Sequence, residues 1–195
     1  NTGELTGNID IRVDQVGEFV ADVGTDDTLT FSGNLVTGAG GNAGLTKAGA
    51  GTLVLEGTNT YVGATTVSNG TLSLLSDITV SPITVNSGAS LELTLGTSVT
   101  SSALTLDGGS TVKVIGTPTL SSYTLITASS ISGTPVLDAA IAGYELVVNG
   151  LSLELNEVAV YTSWAAGYPG LTDTDSTLDF DGGSLETGLE YVLDS

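Results

Sequence analysis

Asp179 and Asp181, followed by Thr187 and Glu190, are the residues whose type and spacing come nearest to chemistry in this chain. A twelve-residue calcium loop wants oxygen ligands at positions 1, 3, 5, 7, 9 and 12, with a glycine at 6 to turn sharply. Counted from Asp179, the loop places Asp181 at 3, the Leu185 carbonyl at 7, Thr187 at 9 and Glu190 at 12. Gly183 then stands at 5 and Ser184 at 6, so one carboxylate and the turning glycine are missing. Asp173 and Asp175, in the preceding loop, are the acids available to complete an irregular oxygen shell. The competing reading is structural: Asp179 and Asp181 cap a short helix beginning near Ser184 and favour its positive end. Calcium is the one cofactor this pattern suggests, and both readings stand.

The rest of the chain argues against catalysis. Histidine and cysteine are absent, which removes Ser-His-Asp and Cys-His arrangements and all thiol chemistry. The basic residues stand singly at Arg12, Lys47 and Lys113, so no base is paired with a cation in sequence. Glu92 and Asp107 would form a carboxylate pair if neighbouring strands brought them face to face, although a solvated acidic pair is the simpler account. Lys47, inside a phrase that recurs along the chain, is expected to lie across a turn rather than act as a base. No phosphate-cradling glycine loop leads into a helix, and the 27 glycines serve turns. The chain is expected not to be an enzyme.

Charge narrows the partners. Twenty-two acids against three bases give a net charge of −19. Binding to nucleic acid needs clustered Lys and Arg, and an anionic lipid surface would repel such a field. The acids are uneven: seven lie in residues 1–27, seven in 28–156 and eight in 157–195. Acidic ends keep a stack of strands soluble, or meet other copies through divalent cations. No apolar run is long enough to span a membrane as a helix. Methionine is missing even at position 1, which is read as removal of a leader from a secreted protein.

What must position these residues is a set of short strands. Leu53 and Leu55, then Val67, Leu72 and Leu74, alternate with Thr, Val, Glu and Ser, the period of a strand with one buried face. One phrase recurs, an apolar run, a small polar residue with glycine, then another alternating run. It appears at Lys47–Leu53, Val67–Leu72, Val85–Leu91, Leu106–Val112 and Val148–Leu153. Its glycines Gly51, Gly70, Gly88 and Gly109 are 19, 18 and 21 residues apart, and Gly150 follows 41 later, close to two more units. A period near 20 suits a solenoid coil of three short strands and three turns. A β-sandwich is the alternative architecture. Ile9, Ile11 and Val13, then Phe19–Val23, read as strands of the first coils, and with 5% aromatics the core must be stacked Val, Leu, Ile and Thr.

The segment Gly44–Leu74 resembles the passenger-associated transport repeat, also called the autotransporter-associated β-strand repeat. The matching residues are Gly44-Leu45-Thr46-Lys47, Gly49-Ala50-Gly51-Thr52-Leu53, Asn59-Thr60-Tyr61-Val62-Gly63 and Thr65-Thr66-Val67-Ser68-Asn69-Gly70-Thr71-Leu72. This resemblance implies an all-β fold, a right-handed parallel β-solenoid, in large secreted or surface-attached proteins that are mostly structural or adhesive. We expect the solenoid over residues 1–160 and a small loop-helix tail over 161–195, with Leu185, Leu189, Val192 and Leu193 at helical spacing. The tail is similar to an end module of secreted environmental bacterial proteins, through Trp164-Ala165-Ala166-Gly167, Asp179-Phe180-Asp181-Gly182-Gly183 and Leu189-Glu190-Tyr191-Val192-Leu193.

End coils of a solenoid carry unpaired strand edges, and the economical partner for such an edge is another copy. The expected function is a structural subunit that assembles head to tail into a surface or extracellular filament. The alternative is an adhesin or passenger fragment that binds glycans or surfaces through a Thr/Ser-rich face, although Tyr61, Tyr123, Tyr144, Tyr161, Tyr168 and Trp164 are too dispersed for a sugar-stacking platform. A third reading is a segment whose folding outside the cell helps to export a longer chain.

Overall fold

Alternating runs bounded by glycine fold into strands that pair with the equivalent run one turn of the chain later. The computed structural model describes residues 2–5, 9–11, 17–37 and 41–158. The first turn of the chain carries β1 (Thr2–Leu5), β2 (Ile9–Ile11) and β3 (Glu18–Asp22). The second carries β4 (Thr28–Phe31), β5 (Leu35–Thr37) and β6 (Gly44–Ala48). Two strands per turn follow: β7 (Thr52–Leu55) with β8 (Thr65–Val67), β9 (Thr71–Leu74) with β10 (Ile78–Val85), and β11 (Ser90–Thr94) with β12 (Val99–Leu106). The chain then runs through β13 (Thr111–Ile115), β14 (Ser122–Ala128), β15 (Ile131–Gly133), β16 (Tyr144–Asn149) and β17 (Ser152–Glu157).

Two large sheets and a two-stranded one result, and no helix occurs among the described residues. The first has the order β1-β4-β7-β9-β11-β13, all parallel. The second has the order β3-β6-β8-β10-β12-β14-β17-β16, with β15 also on β12. Its pairs are parallel from β3 to β14. The expected parallel solenoid is therefore present. In the first sheet Thr28 aligns with Thr52, Thr71, Ser90 and Thr111, offsets of 24, 19, 19 and 21 residues. A third strand row is confined to β2 and β5, with a bridge between Asn59 and Ile78. The eight-residue strands β10 and β12 take up the chain that a third row would use. β10 absorbs its extra length in a bulge between Ile78 and Pro82, the kind of position at which a strand tolerates proline.

The core lies between the two sheets as ranks of equivalent residues. Leu53, Leu72, Leu91 and Val112 form one fully buried rank, and Phe31, Leu55, Leu74 and Leu93 the next. Each such side chain contributes about 1.5–3 kcal/mol by leaving water. Phe19 and Phe31 close the first turns, their ring centroids 5.8 Å apart. The corners demand glycine where one coil's backbone lies on the next. A Cβ at Gly51 would stand 2.1 Å from the Gly24 carbonyl oxygen, and Gly70 combines φ 67° with a Gly51 carbonyl oxygen 2.4 Å from where its Cβ would be.

The end of the solenoid departs from expectation. The phrase Val148–Leu153 predicts one more coil corner, but β16 and β17 are an antiparallel hairpin, and β17 pairs antiparallel with β14. The cause is spacing: in Val67–Leu72 two residues separate Val67 from Gly70, whereas one residue separates Val148 from Gly150. Asn149 therefore pairs with Ser152, leaving Gly150 at φ 61° and Leu151 as a two-residue reversal.

The described residues up to Glu157 form one compact unit. The tail expected at 161–195, with its helix near Ser184, lies outside the described residues.

Candidate functional site

Lys47 occupies an inward-facing rank, between Ala21 and Val67, where the neighbouring positions are small or apolar. Its side chain is fully buried, and the stem bends so that Nζ reaches the corner of the coil. There it donates to the carbonyl oxygens of Ala48 at 2.6 Å, Gly49 at 2.8 Å and Asn69 at 3.1 Å. One ammonium thus clamps the corners that follow β6 and β8. Burial holds its pKa below the ordinary lysine value, against the opposing pull of the Asp22 carboxylate. Lys47 does lie across a turn, with all three donors used.

A second polar cluster, missed in the sequence, runs through the buried corner of the second sheet. The Tyr61 hydroxyl meets Thr65 Oγ1, which lies 2.8 Å from Ser81 Oγ. Ser81 donates to the Gly63 carbonyl at 2.7 Å, and Ser101 Oγ donates to the Ser81 carbonyl at 2.9 Å. Burial pushes the Tyr61 hydroxyl up to about 12, more than its bonds to Thr65 and Ser81 lower it. The signal available in the sequence was the Tyr61–Thr65 spacing inside the repeat, which carries no meaning until the coil corner folds it inward. Nearby, the buried Asn59 accepts the Leu35 N–H at 3.0 Å and donates to Gly57 at 2.6 Å. These groups are satisfied and closed to solvent, so they hold coils together and offer no substrate access.

The acids are placed apart. Glu92, on β11, aligns with Lys113 on β13 and pairs with it at 2.8 Å. Asp107 lies in the corner after β12, in the other sheet, so the two carboxylates considered for glycoside chemistry do not face one another. No group of three or more acids places a metal ion among the described residues. Asp173, Asp175, Asp179, Asp181, Thr187 and Glu190 lie outside the described residues. Among the described residues, no helix is long and apolar enough to cross a membrane.

On its outer face the second sheet presents Val20, Thr46, Thr66, Thr84, Thr105 and Ser132 in register. The four threonines are half-buried and spaced by the interstrand distance of about 4.8 Å. Thr46 donates to Glu18, and Ser132 to Thr105 at 3.2 Å. Thr66, Thr84 and Thr105 each stand four residues before a corner glycine, a regularity legible in the sequence once the phrases are aligned.

No curated protein and no solved structure matches this chain. Residues 45–74, which run from β6 to β9 and hold Lys47, Tyr61, Thr65 and Asn69, match the family described as passenger-associated-transport-repeat.

Proposed function

We propose that this chain is a non-enzymatic structural segment of a secreted or cell-surface protein, whose stacked coils join other copies head to tail into a filament. The observation that carries the reading is the direction of the outermost strand. β17 runs antiparallel to β14 and β16 antiparallel to β17, so β16 runs the same way as the parallel strands of its sheet. Among the described residues that sheet ends in β16 on one side and β3 on the other. An edge strand presents unpaired N–H and C=O groups. A β16 edge of this direction would take the β3 edge of a second copy as a parallel neighbour, a heterologous contact that propagates rather than closes. The acidic loop with Asp179, Asp181, Thr187 and Glu190 would supply a calcium-bridged joint to such a contact. The matched repeat is a structural one, and the polar clusters around Lys47 and Tyr61 are spent on internal bonds, which supports a role without catalysis.

A specific observation favours a second reading, an adhesin. The in-register rank Thr46, Thr66, Thr84 and Thr105 is an uncharged, regular surface suited to contact with glycans or other surfaces. Electron microscopy of the full chain, with and without a calcium chelator, separates these readings. Fibres with an axial repeat of one subunit support the filament, and their loss on chelation places calcium in the joint. Monomers at high concentration in both conditions overturn it and move the question to a glycan array.

A further inference from the structure

Asn69 and Gly70 form the corner between β8 and β9, with Asn69 exposed. The Gly70 N–H donates to its neighbour's side-chain Oδ1 at 2.8 Å. The Asn69 Cγ is one carbonyl bond from that oxygen, so it lies within about 4 Å of the Gly70 nitrogen. Glycine has no side chain to obstruct the approach. On the buried side of the corner, Lys47 Nζ donates to the Asn69 carbonyl oxygen at 3.1 Å. That oxygen and the Gly70 nitrogen belong to one peptide group, and loss of the Gly70 proton puts negative charge on the oxygen. A fixed cation at that oxygen stabilises charge where it develops.

We propose that Asn69–Gly70 is a self-modification site, at which the Gly70 amide nitrogen closes on the Asn69 side chain with Lys47 as the positioning residue. Hydroxide takes the Gly70 amide proton, and the nitrogen attacks Cγ. The new N–Cγ bond forms, the Cγ–Nδ2 bond breaks, and ammonia leaves after gaining a proton from water. The five-membered succinimide is then opened by water at either carbonyl, giving aspartate or isoaspartate at position 69. No oxidant or reductant is needed.

The same dipeptide at Asn149–Gly150 provides an internal control. It is exposed in the β16–β17 turn, with φ 61° at Gly150. Its Nδ2, however, donates to both Glu154 carboxylate oxygens at 3.3 Å. A carboxylate beside the site opposes the developing negative charge that Lys47 favours at Asn69. The consequence also differs. Isoaspartate at position 69 adds a backbone methylene next to Gly70, which is packed so closely that a Cβ on it would stand 2.4 Å from the Gly51 and 2.6 Å from the Gly49 carbonyl oxygens. The corner between two coils would loosen, while the open Gly150 turn would tolerate the same change.

The test incubates the intact chain in mildly alkaline buffer and maps both peptides by mass and by enzymatic isoaspartate methylation. In the folded chain position 69 converts about tenfold faster than position 149, a proximity effect that urea removes. Equal rates in the folded chain, or slower conversion at 69 folded than in urea, overturn the proposal. A folded Lys47→Met variant lowers the rate at 69 and leaves 149 unchanged; an unchanged rate at 69 removes Lys47 from the step. If that variant does not fold, the comparison of folded and urea-treated wild-type chain still decides.

Discussion

The coils from β4 to β13 and the segment from β14 to β17 are built from similar residues but bury them differently. In the coils, Leu53, Leu55, Leu72, Leu74, Leu91 and Leu93 are inaccessible to solvent. In the later segment Leu125, Ile126, Leu153 and Leu155 are buried as well, but Val148 on the last strand is 36% and Leu151 in its turn 58% exposed. Parallel, in-register pairing sets each inward residue between equivalents above and below. The outermost strand β16 has a strand neighbour on one side alone, so its apolar residues remain partly in water, whereas β17, between β14 and β16, keeps Leu153 and Leu155 buried. The difference teaches that burial here follows from stacking, more than from hydrophobicity of the strand itself.

Substitution can break that contrast most sharply in the ranks. Leu72→Ala should cost about 2–5 kcal/mol in denaturant unfolding, while Leu151→Ala should stay within about 0.5 kcal/mol. Equal effects would mean that the two regions are held alike. Gly70 and Gly150 sharpen the comparison, because both have positive φ. Gly150→Ala meets open space and should cost the left-handed penalty of about 1–2 kcal/mol, whereas Gly70→Ala adds the collision with the Gly51 carbonyl and should cost more.

Alkaline pH probes the buried corner. The Tyr61 pKa of about 12 lies above its ordinary 10, so the folded state holds the proton more tightly. That contribution is fully present below pH 10 and is lost as pH rises towards 12, about 3 kcal/mol over the window. Urea midpoints for the wild type should fall over this range, and those of Tyr61→Phe should fall less. Lys47 has the opposite sign: its depressed pKa adds stability as pH rises through its folded value, so Lys47→Met should remove that rise. Smallest of all, Lys113→Ala should change stability by less than about 1 kcal/mol, because the Lys113 end of its pair with Glu92 is open to solvent.

The sequence carried the parallel stack well. Gly51, Gly70, Gly88 and Gly109 mark real corners, and the Leu and Val alternation places the inward ranks. It misjudged the end, because Val148–Leu153 differs from a corner phrase by one residue before the glycine, and that residue decides between crossing to the other sheet and reversing on the same one. The candidate site was less legible. Lys47 was placed across a turn, but its donation to three carbonyls, like the Tyr61–Thr65–Ser81–Ser101 cluster, depends on which coil lies next in space. Glu92 and Asp107, a carboxylate pair only if neighbouring strands brought them face to face, are separated by the two-sheet arrangement.

The unequal offsets of 24, 19, 19 and 21 residues between aligned positions of the first sheet have a consequence for how such a chain changes over time. The variation in length falls outside the first sheet's strands, in corners, loops and the unequal strands of the second sheet, while the first sheet's ranks keep their register. Duplicating or deleting one full turn would therefore give each remaining strand a neighbour of the kind it had before. The protein's reach can be adjusted in steps of about 4.8 Å per coil without redesigning its interior.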